Sequence, residues 1–354
     1  MKFISSGGIK PPFAFAVTVA VAALGGALLT LAGFPAAWLS GSLIAVTALA
    51  LAGFPAHVPD VMRRAVFIVL GISMGAAVTP ETIAGIRTWP ITMFMLVLSI
   101  PGAMGAVMLY LKWAGWDREV SFYSSALGAM SAVIAAATEA GVDVRKVVFA
   151  QSVRVFFLIA ALPGFLVATG LAASDGAVML VQPSAGQWWE ILLMGAGGIA
   201  GGLLAERVGI PGGLIVGSMF VNAILHGTGF VVAAMPDYAL IPCFVLLGGF
   251  IGARFFGTEL SMLKGLLLHS IGGFVVAVAA SSAFAVAGAW LAGESIAKAI
   301  IAFAPGGLEA MIILAFLIGL DPAFVGAHHL LRFILIALFL PIIARMIFGR
   351  APNA

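Results

Sequence analysis

The sequence predicts an all-α integral membrane protein built from two inverted repeats, each with about five transmembrane helices and one re-entrant or broken helical segment. Three observations support this fold: an apolar composition, an internal duplication, and a one-sided distribution of basic residues. Of the 354 residues, 63% are hydrophobic and only 9% are charged. A water-soluble domain of this length could not carry that composition without exposing large apolar patches.

The two halves of the chain share motifs in a nearly constant register. FPAAWLSGS, which starts at Phe34, aligns with IPGGLIVGS, which starts at Ile210. Residues 126–163 and 304–341 form another pair, with 11 identical positions out of 38. The offset between the copies stays at 176 to 178 residues, which indicates one duplicated unit.

Each half contains six apolar segments, and a polar linker joins the halves. We place the first repeat at residues 1–173, the linker at 174–187 and the second repeat at 188–354. Most segments reach the roughly 20 residues that a spanning helix needs. The segments lie at about 13–32, 37–53, 61–79, 89–112, 120–139 and 145–172, and at about 188–205, 213–230, 238–256, 264–292, 296–318 and 323–347.

The lysines and arginines predict the orientation of the repeats. If all twelve segments cross the membrane, about nine basic residues lie on one side and six on the other. If the fifth segment of each half instead enters and returns, the ratio becomes thirteen to two, with Arg154 and Arg332 inside the membrane. The positive-inside rule favours the second arrangement. Five crossings per half then invert the second repeat and put both termini on the cytoplasmic side of a bacterial inner membrane.

Glycine and proline interrupt the fifth segment of each half. Pro305, Gly306 and Gly307 predict a sharp break in the second half, because proline lacks an N–H group and glycine adopts positive φ. Ser125 and Gly128 mark a break in the first half, where the absence of proline predicts a milder discontinuity. Inverted repeats with such interruptions are typical of secondary transporters. The N-terminus of a helix that restarts there suits an anion. We therefore predict that the residues of both breaks, Ser125, Gly128, Pro305, Gly306 and Gly307, bind substrate.

The last helix of each half contains one arginine deep in its interior. Arg154 and Arg332 are each about ten residues, or ~15 Å, from the helix start, near the middle of a ~30 Å hydrocarbon core. A charge there costs at least ~2.5 kcal/mol, so it should face a partner or an aqueous cavity. Gln151 and His329 lie three residues before the arginines, and His328 lies four before Arg332. We predict that these residues bind substrate; alternatively, the arginines tie their helices to carbonyl groups at the broken segments.

Three carboxylates are candidates for ion coupling. Glu309 follows the second break, and its counterpart in the first half is Ser131, which we count among the substrate-binding residues. An acid in only one half suits proton or sodium coupling. Asp143 and Asp321 lie about 16 Å before the arginines along the helix axis, so they are not direct partners of those arginines. Helix capping is the alternative role for Glu309 and for Asp143.

Other chemistries lack the residues they need. The single cysteine, Cys243, excludes a disulfide framework and a multi-cysteine metal site. The neighbouring His328 and His329 point about 100° apart on a helix, which disfavours a shared metal. We find no phosphate loop and no pairing of nucleophile and base. We therefore expect no cofactor, no metal, no nucleic-acid partner and no enzymatic activity. The expected partners are membrane lipid, a small anion and a coupling H⁺ or Na⁺, and a homodimer is left open.

The chain resembles the AbrB family of duplicated bacterial membrane proteins, whose members are often labelled regulators or putative ammonia monooxygenases. The resemblance covers essentially the whole chain. It rests on the FPAAWLSGS and IPGGLIVGS pair, on the GVD turn before Arg154, and on APGGLEAM followed by IGLD, His329 and Arg332. The family is similar in organisation to inverted-repeat transporters of the sodium/proton-antiporter and bile-acid-symporter type, which implies a coupled carrier.

Our functional hypothesis is a secondary active transporter of a small organic anion, a carboxylate or sulfonate, driven by protons or sodium. The family's regulator label implies a rival, a membrane-embedded sensor or scaffold that affects gene expression through a partner. A membrane enzyme is a third alternative, although a copper or di-iron site needs clustered ligands that this sequence lacks.

Overall fold

All regular secondary structure in the described part of the chain is helical. The computed structural model describes residues 10–77, 86–171, 188–257 and 260–349, without the side chains of Ser131, Asp237 and 260–264. The predicted linker at 174–187 lies outside these residues. The helices are α1 (Pro11–Leu31), α2 (Ala37–Leu51), α3 (Asp60–Ala76), α4 (Trp89–Trp113), α5 (Arg118–Ser125), α6 (Met130–Glu139), α7 (Val144–Ala168), α8 (Trp188–Arg207), α9 (Gly213–Gly227), α10 (Asp237–Gly252), α11 (Leu260–Ala292), α12 (Ile296–Phe303), α13 (Leu308–Leu317) and α14 (Pro322–Phe348), and a 3₁₀ turn, Ala253–Phe255, follows α10.

Seven of the described helices are long and apolar enough to cross a membrane. They are α1, α4, α7, α8, α11 and α14, together with a span at Tyr238–Phe255 that includes most of α10. Each of the twelve predicted segments coincides with one helix or, in the fifth segment of each half, with two short helices. The prediction of an all-α integral membrane protein is therefore confirmed, whereas the inverted repeats stay a prediction.

The helices form two compact units, and each unit takes helices from both halves of the chain. The first unit contains α1–α3, α8–α10 and the end of α7 from Ile159. The second unit contains α4–α6, the start of α7 up to Leu158, nearly all of α11, α12, α13 up to Ala315, and α14. Apart from α7, which is divided between the units, helices that correspond between the halves lie wholly or mostly in the same unit.

Glycines bring the helices of the first unit into backbone contact. A Cβ atom at Gly25 in α1 would lie 2.4 Å from the carbonyl oxygen of Gly41 in α2. One at Gly201 in α8 would lie 2.6 Å from the carbonyl oxygen of Gly217 in α9. Because no side chain fits in either crossing, both helix pairs approach as closely as small residues allow in membrane proteins.

The second unit is organised around α14. This helix packs against α4, α6 and α12. The long helix α11 packs on α4, where a Cβ atom at Gly102 would lie 2.8 Å from the ring of Phe284. α11 also contacts α7, since the rings of Phe157 and Phe274 stack at 5.6 Å between centroids. These helices surround the two broken segments, α5–α6 and α12–α13.

Both broken segments have a four-residue interruption. α5 ends at Ser125 and α6 begins at Met130, while α12 ends at Phe303 and α13 begins at Leu308. Our expectation of a milder first break is wrong. The first break lacks proline, but Gly128 with φ +95° and Ala129 with φ +45° adopt left-handed conformations that interrupt the helix.

Candidate functional site

Arg332 in α14 holds the second break through backbone carbonyl groups. Its side chain is fully enclosed, with 2% of the residue exposed. Nη1 donates hydrogen bonds to the carbonyl oxygens of Phe303 at 3.2 Å and Ala304 at 2.7 Å, and Nη2 donates to that of Gly306 at 3.0 Å. The arginine therefore anchors α14 to the point where α12 stops.

His329 is the side-chain partner of Arg332. Its Nδ1 accepts a hydrogen bond from Nη2 of Arg332 at 2.6 Å, so this nitrogen carries no proton. Its Nε2 then carries the proton and donates to the carbonyl oxygen of Ile301 at 3.0 Å. The ring is thus neutral in this geometry, and it contributes no charge to balance the guanidinium.

Arg154 in α7 makes the corresponding contacts with the first break, but fewer of them. The residue is 5% exposed. Its Nη2 donates to the carbonyl oxygen of Ala126 at 3.2 Å, and it reaches Oε1 of Gln151 only at the long distance of 3.5 Å. Ala126 and Gln151 correspond to Ala304 and His329 in the second half, so the two arginines are held in the same way.

The two broken segments meet at Arg332. A Cβ atom at Gly128, in the first break, would lie 3.2 Å from Nε of Arg332 and 3.5 Å from the carbonyl oxygen of Gly306, in the second break. The structure therefore brings Gly128, Gly306 and Arg332 close together. Arg154 bonds to the carbonyl oxygen of Ala126, two residues before Gly128, so both arginines contact the first break.

Several polar atoms at this site have no hydrogen-bond partner within the described protein. They are Nε of Arg154, Nε of Arg332, Nε2 of Gln151 and Oγ of Ser124, all of them buried. In the described residues, neither arginine has a hydrogen bond or ion pair with a carboxylate. A buried donor without an acceptor costs about 1–3 kcal/mol. The site thus combines two cations with unused donors.

His328 has different hydrogen-bond partners from His329. Its Nδ1 lies 2.8 Å from the carbonyl oxygen of Phe324, and its Nε2 lies 2.8 Å from Oγ1 of Thr92. It links α14 to α4 and has no hydrogen bond to either arginine. Ser125, also predicted to bind substrate, donates its hydroxyl to the carbonyl oxygen of Phe122 at 2.7 Å.

The second break borders open space. A Cβ atom at Gly307 would have no atom within 4 Å, whereas one at Gly306 would meet Met311 at 2.6 Å. Pro305 is buried, and Glu309 is partly exposed in the first turn of α13. Of the residues predicted around this break, Gly307 and Glu309 are thus the accessible ones. The side chain of Ser131, the counterpart of Glu309, lies outside the described residues.

The two aspartates accept hydrogen bonds from backbone N–H groups at the starts of α7 and α14. Oδ1 of Asp143 accepts a hydrogen bond from the backbone N–H of Arg145 at 3.1 Å. Oδ1 of Asp321 accepts from the backbone N–H groups of Ala323 at 2.9 Å and Phe324 at 3.1 Å. Burial raises the pKa of the Asp321 carboxyl, and the two backbone N–H donors oppose part of that rise. The aspartates make no contact with the buried arginines.

Comparisons with known proteins identify the family of the chain. The family model described as "Transition state regulatory protein AbrB" matches residues 38–348. The chain belongs to the AbrB family. It is 29% identical to "Uncharacterized protein YhjN" of Bacillus subtilis (strain 168), over 93% of this chain and 92% of the relative. It is 25% identical to "Putative regulator AbrB" of Escherichia coli (strain K12), over 90% of this chain and 92% of the relative.

This AbrB-family chain also contains a polar group that the sequence analysis missed. Oε1 of Glu294 accepts a hydrogen bond from Oγ1 of Thr88 at 2.7 Å, and Glu294 also pairs with Lys298. Nζ of Lys298 lies 4.5 Å from the ring centre of Phe324. The spacing of four residues between Glu294 and Lys298 signals the ion pair, but Thr88 is too distant in sequence to be recognised. No cluster of three or more potential metal-ligating side chains occurs within the described part of the chain.

Proposed function

We propose that this AbrB-family protein is a secondary active transporter of a small organic anion, a carboxylate or sulfonate, coupled to protons or sodium ions. It would reside in the bacterial inner membrane with both termini cytoplasmic. The observation that carries the proposal is the pair of enclosed guanidinium groups, Arg154 and Arg332, without a carboxylate partner in the described residues. Each lies at a helix break, where secondary transporters form their binding sites.

The electrostatics of the pair support an anionic ligand. Guanidinium groups stay charged in proteins, and two like charges in a dry interior repel each other. Backbone carbonyl groups offset part of the desolvation cost of each cation. A carboxylate or sulfonate would supply both a counter-charge and acceptors for the two unpaired Nε–H groups.

The two arginines would have different roles. Arg332 uses both Nη atoms in four hydrogen bonds, which leaves only its Nε–H for a ligand. Arg154 bonds through Nη2 alone in the described structure. Arg154 would therefore be the main ligand-binding group, and Arg332 would mainly hold the broken segments in place. The two roles that the sequence left open, substrate binding and anchoring of the broken segments, would thus belong to Arg154 and Arg332 respectively.

Binding and flux test the proposal in sequence. Thermal unfolding of purified protein in detergent would be measured with a panel of small carboxylates and sulfonates, with and without Na⁺. We expect at least one anion to raise the melting temperature of the wild type and not that of Arg154→Gln. That anion, radiolabelled, should accumulate in proteoliposomes under a pH or Na⁺ gradient. Uptake unchanged in a protein carrying both Arg154→Ala and Arg332→Ala would remove the central assignment.

A second candidate function comes from the printed name of a relative, "Putative regulator AbrB". In that case the chain would act as a membrane-embedded sensor or scaffold and influence gene expression through a partner. A cross-linked complex with one stable soluble partner, together with no anion flux in proteoliposomes, would favour this function over transport.

A further inference from the structure

An apolar groove lies in the second unit, between α4, α5 and α14. Its volume is about 390 Å³, which is in the range of small-molecule pockets. All of its lining residues are apolar or glycine except Ser125, whose hydroxyl is already bonded to the carbonyl oxygen of Phe122. The groove therefore offers no free polar side chain to a ligand and suits a hydrocarbon chain.

One end of this groove adjoins the arginine site. On α14 the lining begins with Leu335 and Ile336, three and four residues after Arg332 and hence on the same helix face. On α5 it ends with Ser125, directly before Ala126, whose carbonyl oxygen binds Arg154. From there the lining continues along α14 to Ile347, about 18 Å further on at 1.5 Å per residue.

We propose that the anion is amphiphilic, with a carboxylate or sulfonate head group at Arg154 and Arg332 and an unbranched apolar chain in the groove. This inference rests on the proposed function and names the class of its substrate. The head group would neutralise the guanidinium groups, and the chain would leave water for a surface made almost wholly of aliphatic and aromatic side chains.

The position of the charges favours a single-chain anion over a membrane phospholipid. Arg332 lies ten residues into α14, at roughly 15 Å from its start, whereas Ile347 is next to its C-terminal end. A phospholipid keeps its head group near the membrane surface, so a tail in this groove would direct hydrocarbon at the buried cations. A free anion that enters head first would instead place its negative head group at the arginines and its hydrocarbon chain against the apolar groove.

The test uses alkanesulfonates of increasing length and a variant that fills the groove. Gly105 lines the groove in α4, and a Cβ atom there would meet no atom within 4 Å, so Gly105→Leu starts its side chain in the groove without a clash at Cβ. Gly195 in α8 of the first unit is equally open, which makes Gly195→Leu the matched control. Ethane-, butane-, hexane- and octanesulfonate would be titrated calorimetrically into each protein in phosphatidylcholine nanodiscs, with empty nanodiscs subtracted.

We expect the affinity of the wild type and of Gly195→Leu to rise about two- to fourfold for each added methylene group. Gly105→Leu should bind ethanesulfonate as the wild type does and lose the gain with chain length. Arg154→Gln should weaken every member of the series. The slope in the wild type is the first readout, and it does not depend on the folding of any variant.

Three results would overturn the inference in distinguishable ways. Arginine-dependent binding of short and long sulfonates with equal affinity would refute the groove assignment and leave the proposed anion site standing. Octanesulfonate binding that survives Arg154→Gln would make the groove a general acyl-chain site and refute the head-group assignment. Absence of binding at every chain length would refute the proposed anion site itself.

Discussion

Replacing each buried arginine with glutamine separates a structural from a ligand-binding role. Arg332→Gln removes four hydrogen bonds from buried acceptors. At ~1.5–3 kcal/mol for each bond to a charged group, the loss exceeds the several kcal/mol regained when a buried charge is removed. We expect a net loss of about 2–5 kcal/mol. Arg154→Gln removes only two hydrogen bonds, one of them at 3.5 Å. The stability lost with these bonds should therefore nearly equal the stability gained when the buried charge is removed.

Thermal unfolding followed by intrinsic tryptophan fluorescence in detergent measures this difference. At about 2–4 °C per kcal/mol, Arg332→Gln should melt roughly 5–15 °C below the wild type, and Arg154→Gln within about 3 °C of it. A stabilising anion should shift the wild type and not Arg154→Gln. Equal losses in the two variants, or the larger loss in Arg154→Gln, would refute the division of roles between the arginines.

Five further substitutions, at four positions, are tested by the same melting assay. Gly128→Ala should lower the free energy of unfolding by about 1–3 kcal/mol, because φ is +95° there and the added Cβ would lie 3.2 Å from Nε of Arg332. Gly307→Ala, where the added Cβ enters open space, should be tolerated. His329→Ala should destabilise by about 1–3 kcal/mol, and His329→Gln, which copies the residue beside the other arginine, should recover most of it. Glu294→Gln should lower the melting temperature at neutral pH, and its difference from the wild type should shrink as the pH falls through the folded pKa of Glu294, which lies below the ordinary value.

The pH dependence follows from the environment of Glu294. Burial alone would raise its pKa, but hydrogen bonds from Lys298 and Thr88 and the charge of Lys298 hold the pKa below its ordinary value. The folded state therefore favours the ionised form, which contributes stability above the unfolded pKa and loses it as the pH falls through the folded pKa. A difference between Glu294→Gln and the wild type that grows in acid would contradict this sign.

Hydrophobicity and chain breakers predicted the helices because both act locally. The twelve apolar segments were visible as runs long enough to span, and the interruptions at Gly128 and Pro305 were visible as residues that leave helical geometry. The depth of Arg154 and Arg332 followed from counting residues along a regular helix. Each of these features depends on fewer than about thirty consecutive residues.

Features that depend on distant parts of the chain were not predictable in this way. The sequence could not show that α1–α3 pack with α8–α10 in one unit, because that grouping depends on contacts between the halves. It grouped His328 with His329, yet the contact of His328 with Thr92, 236 residues away, directs it to another helix. The strength of the first break was underestimated because the left-handed conformation of Ala129 carries no signature in the residue type.

Glu309 offers the sharpest test of how transport would be driven. It is a partly exposed acid in the first turn of α13, two residues after the open space at Gly307. If it carries the coupling proton, Glu309→Gln should abolish anion accumulation driven by a pH gradient, while exchange of internal for external anion continues because exchange needs no net proton movement. Asp143→Asn is the matched control, since that aspartate caps a helix and should leave both activities unchanged. Retained gradient-driven accumulation in Glu309→Gln would exclude this carboxylate, and loss of exchange as well would assign it to anion binding instead of coupling.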